Sequence, residues 1–368
     1  MTPAPVAEAA TSGRSLRNQP FRALRVAAVD RLCEDAVAVT FAVPEDLEPD
    51  FAFRPGQSLT LRRTVDGQEH RRSYSVCSAL GQSPRIGVRA VAGGALSGWL
   101  VNEVRAGDAI EMQPPSGTFA ADPATAGRHV LIAAGSGITP ILSIAASVLQ
   151  NPQSQAVMLY GNRRANSVMF AEELADLKDT YGPRLEVVHV LSREPRGVEL
   201  FSGRLDGERV RRLLRALVPV EAVDHFWLCG PYGMVTDAGK VLRGLGVDEE
   251  RIHRELFYVE DVAPAPSEHA EAAASGPTSD VTIILDGATS TLTLPRDIPV
   301  LDGAQQSRDD LPFACKGGVC GTCRAKVTSG TVEMQRNYAL EKSELAQGFV
   351  LTCQSMPTSD TVTVDFDA

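Results

Sequence analysis

Four cysteines near the C-terminus, Cys315, Cys320, Cys323 and Cys353, are spaced C-x4-C-x2-C with a distant fourth. That is the spacing of a plant-type [2Fe–2S] site, and it makes single electrons the currency of the chain. Three thiolates must converge on one small cluster, so the chain between them has to curl tightly. Gly317, Gly318 and Gly321 allow such turns and let backbone N–H groups approach sulfur. A structural zinc site would take paired C-x2-C knuckles, and only one pair is present. Disulfides fit poorly with the isolated Cys33, Cys77 and Cys229 and with the lack of a secretory signal.

A chain of 368 residues is too long for one such module and implies two or three domains. No apolar run is long enough to span a bilayer, and no signal-peptide core is evident, so the expected location is cytoplasmic, with no membrane contact. The formal charge of −10 is uneven: residues 280–368 carry 12 acidic and 7 basic side chains, and 259–279 carry four acids and no Lys or Arg. With no basic surplus to neutralise phosphates, nucleic acid is not expected as a partner. An acidic face meeting a basic patch on a protein partner fits the charge better.

Residues 1–19, rich in Ala, Pro and Ser, read as a disordered tail, and 259–279 as a linker. Between 20 and 122 short alternating runs broken by turns predict antiparallel β structure, with strands at 36–43, 58–62, 73–76, 85–91 and 109–112. From 123 to 258 the rhythm changes to continuous apolar runs at 130–134, 156–160, 185–191 and 225–229. Helices are expected near 139–150, 170–181, 206–218 and 232–245. This alternation predicts an α/β domain with a doubly wound parallel sheet, which binds ligands beyond the carboxyl ends of its strands.

Gly135-Ser136-Gly137-Ile138-Thr139-Pro140 follows the first of those strands. Gly-x-Gly opening a helix suits a pyrophosphate, although the same pattern also serves as ordinary turn chemistry. In the β-rich part, Arg72-Ser73-Tyr74-Ser75 offers a guanidinium fork, a ring that can stack on a flat heteroaromatic, and a hydroxyl. A strand places Arg72 and Tyr74 on one face and Ser75 on the other, so the tetrapeptide could equally be an exposed strand. Gly93–Ser97 offers a second phosphate-cradling turn.

Taken in order, Arg72–Ser75, Gly94–Ser97, Gly135–Pro140 and Cys229-Gly230-Pro231 resemble the ferredoxin–NADP reductase superfamily. With the cysteine motif, residues 20–368 resemble a single-component oxygenase reductase with a C-terminal plant-type ferredoxin. Tyr160-Gly161-Asn162-Arg163, Asn337–Glu341 and Val364–Ala368 further resemble the reductase subunits of bacterial phenylacetyl-CoA epoxidases. The resemblance implies a multidomain chain: an antiparallel β-barrel flavin domain (20–122), an α/β parallel-sheet nucleotide domain (123–258) and a β-grasp (α+β) ferredoxin domain (280–368).

It also implies roles. Arg72 would contact the FAD pyrophosphate, Tyr74 would stack on the isoalloxazine with Ser75 near N5, and Gly94 and Ser97 would hold the second phosphate region. Gly135, Gly137 and Thr139 would line the nicotinamide-nucleotide phosphate site, with Cys229, Gly230 and Pro231 near the nicotinamide. In Glu255-Leu256-Phe257, Phe257 would shield the flavin, or serve as plain core. Ser192-Arg193, at the end of the strand where an adenosine ribose would lie, suits a 2′-phosphate and hence NADPH over NADH, although Glu194 is adjacent. Electrons would pass from NADPH through FAD to the [2Fe–2S] cluster, at roughly −400 mV in such sites, and on to a separate oxygenase, a diiron phenylacetyl-CoA epoxidase. The other readings are the reductase of a ring-hydroxylating dioxygenase or 3-ketosteroid 9α-hydroxylase, and a ferredoxin-like carrier or redox sensor without enzymatic activity.

Overall fold

In the computed structural model the described residues are 20–258, 276–308, 310–340 and 342–368. The expected tail at 1–19 and most of the expected linker lie outside them. Two compact units result, the first running from Phe21 through the nucleotide domain and counting residues 314–321 with it, the second holding the rest of the C-terminal part.

The first unit begins with six antiparallel strands, β1 (Arg22–Cys33), β2 (Ala36–Ala42), β3 (Ser58–Val65), β4 (Gln68–Ser75), β5 (Arg85–Arg89) and β6 (Ala109–Met112), in the order β4-β3-β6-β1-β2-β5. A bridge between Val76 and Ile86 brings the last strand back to the first and closes the barrel. Alternate residues of these strands, Leu24, Val37, Val39, Leu59, Leu61, Ile86 and Val88 among them, fill the interior. Two helices lie between the strands, the single-turn α1 (Glu48–Phe51) and α2 (Ala95–Asn102), which adds Leu96, Leu100 and Val101 to that core.

The nucleotide domain alternates β7 (Arg128–Ala134), α3 (Ile138–Val148), β8 (Gln155–Asn162), α4 (Ala171–Tyr181), β9 (Leu185–Leu191), α5 (Gly207–Leu217), β10 (His225–Pro231), α6 (Tyr232–Gly244) and β11 (Ile252–Tyr258). All five strands are parallel, in the order β11-β10-β7-β8-β9. The chain first builds outward from β7 to β9, then returns to the other side with β10. The switch therefore falls between β7 and β10, where a doubly wound sheet opens a binding crevice. Barrel and nucleotide domain meet along a polar and apolar seam. Ser143 Oγ donates to Ser78 O at 2.7 Å, Leu80 N donates to Ser147 Oγ at 2.9 Å, and the Phe119 ring stands edge-on to Trp227 at 5.3 Å.

The C-terminal unit holds β12 (Thr278–Leu285), β13 (Ala288–Pro295), α7 (Val300–Ala304), β14 (Arg324–Ser329), β15 (Val332–Met334), α8 (Lys342–Ala346), β16 (Phe349–Leu351), β17 (Ser355–Pro357) and β18 (Thr361–Asp365). Its five-stranded mixed sheet, β13-β12-β18-β14-β16, with β12 parallel to β18, is a β-grasp. β12 opens at Thr278, so the last two residues of the expected linker are strand.

Candidate functional site

β4 delivers Tyr74 and Ser75 to opposite sides of the barrel wall, as strand alternation requires. Tyr74 packs partly on the barrel core, and burial raises its phenol far above the usual value. Ser75 is buried and donates its hydroxyl to Glu255 Oε2 at 3.3 Å. Glu255 stands on β11, directly opposite Cys229 on β10, and Cys229 Sγ lies 3.8 Å from the same carboxyl oxygen. Three groups from two domains thus meet at the switch crevice. Burial raises the Glu255 carboxyl to about 8, against smaller opposing effects of the Ser75 and Cys229 hydrogen bonds. Burial, with Glu255 as neighbour, also holds the Cys229 thiol neutral. At neutral pH the site is an uncharged trio able to hold one proton on Glu255. Phe257, two residues further along β11, packs partly against the core beneath.

The phosphate-type turns divide in two. Gly135 has φ +56°, and a Cβ there would meet only Arg89 Nη1 at 3.6 Å, leaving a backbone cradle. The Tyr160 hydroxyl fixes that cradle by donating to Gly135 O at 3.0 Å. Gly137 is glycine for a different reason: a Cβ would strike Cys229 O at 2.3 Å, so the turn packs on the strand that carries the thiol. Thr139 is fully buried, its hydroxyl donating to Ser136 O at 2.9 Å, because α3 sinks nearly its whole length into the core. Gly230 (φ +150°) lets β10 pass Ala134, and Pro231 precedes α6. In the barrel, Ser97 Oγ accepts from Val91 N at 3.2 Å and sits against Gly94, and no side chain caps the first turn of α2. Arg72 lies on the Tyr74 face of β4. These residues fit a flavin pyrophosphate on the barrel and a nucleotide on the crevice.

Beyond β8 and β9 the pairing continues, with Ser192 N donating to Asn162 O and Arg193 N to Arg163 O, each at 2.8 Å. Arg193 is exposed, while Glu194 is occupied by Ala165 N at 2.9 Å. Tyr160 entered the sequence reading only as part of a family-like string and Arg89 carried no signal, although the two shape the Gly135 cradle. Their role depends on contacts made between strands far apart in the chain.

All seven cysteines are free thiols, which removes the disulfide alternative. Around Cys315 the chain curls through left-handed backbone at Lys316 (φ 50°), Gly318 (φ 76°) and Gly321 (φ 66°). Gly317 N donates to Cys315 Sγ at 3.3 Å. The Cys320 thiol and the backbone N–H groups of Gly317, Val319 and Cys320 together hold the Cys315 thiol well below its usual value, against the effect of burial. In the C-terminal unit Cys323 and Cys353 are buried in one core, and Thr352 donates both N and Oγ1 to Cys323 O, at 3.1 and 2.9 Å. Thiols on loops rich in amide donors suit an iron–sulfur cluster. Among the described residues no three His, Cys, Asp or Glu side chains converge on a single ion, but a two-iron cluster divides its four thiolates between two metals.

Family comparison agrees with this layout. Residues 23–120 match the oxidoreductase FAD-binding domain, 131–240 the oxidoreductase NAD-binding domain, and 283–358 the 2Fe-2S iron-sulfur cluster binding domain. The chain is therefore a flavin- and nicotinamide-binding oxidoreductase with an attached [2Fe–2S] domain. It belongs to the oxygenase reductases of the ferredoxin–NADP reductase superfamily. It is 42% identical to one subunit of the 1,2-phenylacetyl-CoA epoxidase of Escherichia coli K12, over 95% of this chain and 98% of that one. The ferredoxin reductase component of 3-ketosteroid-9-alpha-monooxygenase from Mycolicibacterium smegmatis is 35% identical over 94% and 96%. Phthalate dioxygenase reductase shares the fold, with a TM-score of 0.59 at 22% identity, over 94% of this chain and 98% of that structure.

Proposed function

We propose that this chain is the reductase subunit of a multicomponent phenylacetyl-CoA epoxidase, passing electrons from NADPH through FAD and a [2Fe–2S] cluster to a diiron oxygenase. The observation that carries the reductase reading is the Ser75–Glu255–Cys229 convergence at the seam of the two domains. A carrier or sensor built on a degenerate scaffold has no need of it. The choice of oxygenase is supported by the 42% identity along nearly the whole chain, above that to the ketosteroid reductases.

Bound FAD supplies the conversion between hydride and single-electron chemistry. The chain supplies position and protons. Tyr74 gives the isoalloxazine a flat support, and Arg72, Gly94 and Ser97 take its phosphates. Ser75 and Glu255 hold a proton beside the ring, with neutral Cys229 and the Gly230-Pro231 turn setting the nicotinamide against it. The Gly135–Thr139 turn receives the nucleotide phosphates on its backbone, while Ser192 and Arg193 select the 2′-phosphate of NADPH. Phe257 covers the second flavin face. Cys315, Cys320, Cys323 and Cys353 hold the iron. We place the domain borders at 20–122, 123–258 and, because β12 opens at Thr278, 278–368. Among the described residues no helix is long and apolar enough to cross a membrane, in keeping with a cytoplasmic site of action.

The test is reconstitution. NADPH oxidation dependent on phenylacetyl-CoA should appear only when a phenylacetyl-CoA oxygenase component is added. Stronger coupling to a ketosteroid or ring-hydroxylating oxygenase keeps the reductase class and overturns the partner.

A further inference from the structure

The connection from β2 to β3 and the one from β4 to β5 together line a groove of about 440 Å³. Phe51 and Phe53, both buried in the barrel core, line it with Val43 and Pro84. Leu80 stands at the same groove with 41% of its surface exposed. The backbone enforces that exposure. Leu80 N donates to Ser147 Oγ at 2.9 Å, Leu80 O accepts from Gln150 Nε2 at 3.4 Å, and Gly81 turns the chain at φ +86°. Pinned to the C-terminal end of α3, the loop presents its leucine to water instead of folding it onto the core.

One side of the groove is acidic. Residues 43–54 hold Glu45, Asp46, Glu48 and Asp50 against a single cation, Arg54. All four carboxylates are exposed, Glu48 lines the groove itself, and among the described residues none of the four forms an ion pair. An apolar groove with a preformed wall and a charged rim has the anatomy of a protein-docking site. The apolar part takes an anchoring side chain, and the rim sets the sign of charge the partner must carry. Here that sign is positive. The groove is also remote from the chemistry. It adjoins α3 at its C-terminal end, whereas the Gly135–Gly137 turn precedes the other end of that 11-residue helix, about 16 Å away.

We propose that this groove docks the oxygenase component, taking a segment in which an aliphatic or aromatic side chain is flanked by Lys or Arg. The apolar side chain enters beside Leu80, and the cations meet Glu45, Asp46, Glu48 and Asp50. The groove tethers and carries no electron. Holding the reductase on its partner raises the local concentration of the cluster around the acceptor. The inference rests on the reading that the electrons leave for a phenylacetyl-CoA oxygenase.

The experiment follows coupled turnover of the full-length protein against rising concentrations of the phenylacetyl-CoA oxygenase component, at low and at high salt. Leu80→Asp should raise the Michaelis constant for that component about tenfold, with turnover at saturation and NADPH-to-ferricyanide activity unchanged. Glu45→Gln combined with Glu48→Gln should raise it about threefold at low salt and little at high salt. A Leu80→Asp protein that loses ferricyanide activity is misfolded, and the Gln pair then decides alone. A Michaelis constant unmoved in both variants, while the unaltered protein couples, overturns the groove and leaves the partner standing. An unaltered protein that couples to no phenylacetyl-CoA oxygenase overturns that reading, and the groove with it. Other occupants leave different marks. A dimer of the unaltered protein that Leu80→Asp dissociates in sedimentation assigns the groove to a second copy. A Michaelis constant that falls in Arg14→Ser combined with Arg17→Ser assigns it to the chain's own residues before β1. Either result overturns the proposal.

Discussion

The Ser75 hydroxyl of the barrel donates to Glu255 Oε2 of the nucleotide domain at 3.3 Å, joining residues 180 positions apart. Because burial raises the Glu255 carboxyl to about 8, it is neutral at pH 7 and becomes charged as pH rises through that value. NADPH-driven flavin reduction in stopped flow should therefore fall across pH 8. Glu255→Gln, which keeps a neutral side chain, should be slower by roughly 10²-fold and flat across the same range. The folded state loses stability with the same ionisation. A folded pKa above the unfolded one gives stabilisation that is complete below pH 4.5 and lost on passing 8, so Glu255→Gln should melt higher than the unaltered protein at pH 9 but not at pH 5.

A second titrating group lies lower on the same sheet face. His129 on β7, His225 and Trp227 on β10 and His253 on β11 pack together, with His225 Nδ1 3.2 Å from His253 Nε2 and Trp227 Nε1 donating to His129 Nδ1 at 3.3 Å. Burial first, and neighbouring His225 second, lower His129 and His253 from 6.5 to about 4, while Asp224 opposes this at His129 and Arg251 opposes protonation of His225. Depressed folded values mean stability is lost as pH falls from 6.5 toward 4. His129 alone contributes up to ~1.4 kcal/mol per pH unit in that window. Thermal melts between pH 7 and 4.5 should show this steep loss, and His253→Phe should make it shallower. Equal slopes in the two proteins would remove the cluster as its cause.

Arg193→Ala should raise the Michaelis constant for NADPH roughly ten- to hundredfold, the value of one charge-assisted hydrogen bond, and leave NADH nearly unchanged. Steady-state kinetics with both nucleotides reads this directly. An equal effect on both would assign Arg193 to a part of the nucleotide they share.

Cys320→Ser should lose the cluster and cytochrome c reduction while keeping most NADPH-to-ferricyanide activity, because the flavin precedes the cluster. Iron analysis and the two acceptor assays separate these. Parallel loss of both activities would place the cluster, or the fold it supports, upstream.

Much of this was legible in the chain because the relevant signals are local. The runs at 109–112 and 185–191 coincide with β6 and β9, and the cysteine spacing with the 2Fe-2S match at 283–358. β1 escaped because bulges between Val26 and Ala28 and between Arg31 and Cys33 break its alternation over 12 residues. β3 and β4 extend beyond the expected strands at 58–62 and 73–76, to Val65 and back from Gln68. The sequence pattern put Thr139 on the phosphate turn, but whether its hydroxyl faces out or in is decided by how deeply α3 packs.

The order of electron flow is tested most directly by mixing the full-length protein with NADPH in the absence of oxygen and any oxygenase, then counting reduced clusters by electron paramagnetic resonance. The account predicts bleaching of the flavin and the appearance of one reduced [2Fe–2S] cluster per chain in the unaltered protein, and flavin bleaching alone in Cys320→Ser. An unaltered protein whose flavin bleaches while its intact cluster stays oxidised would contradict it.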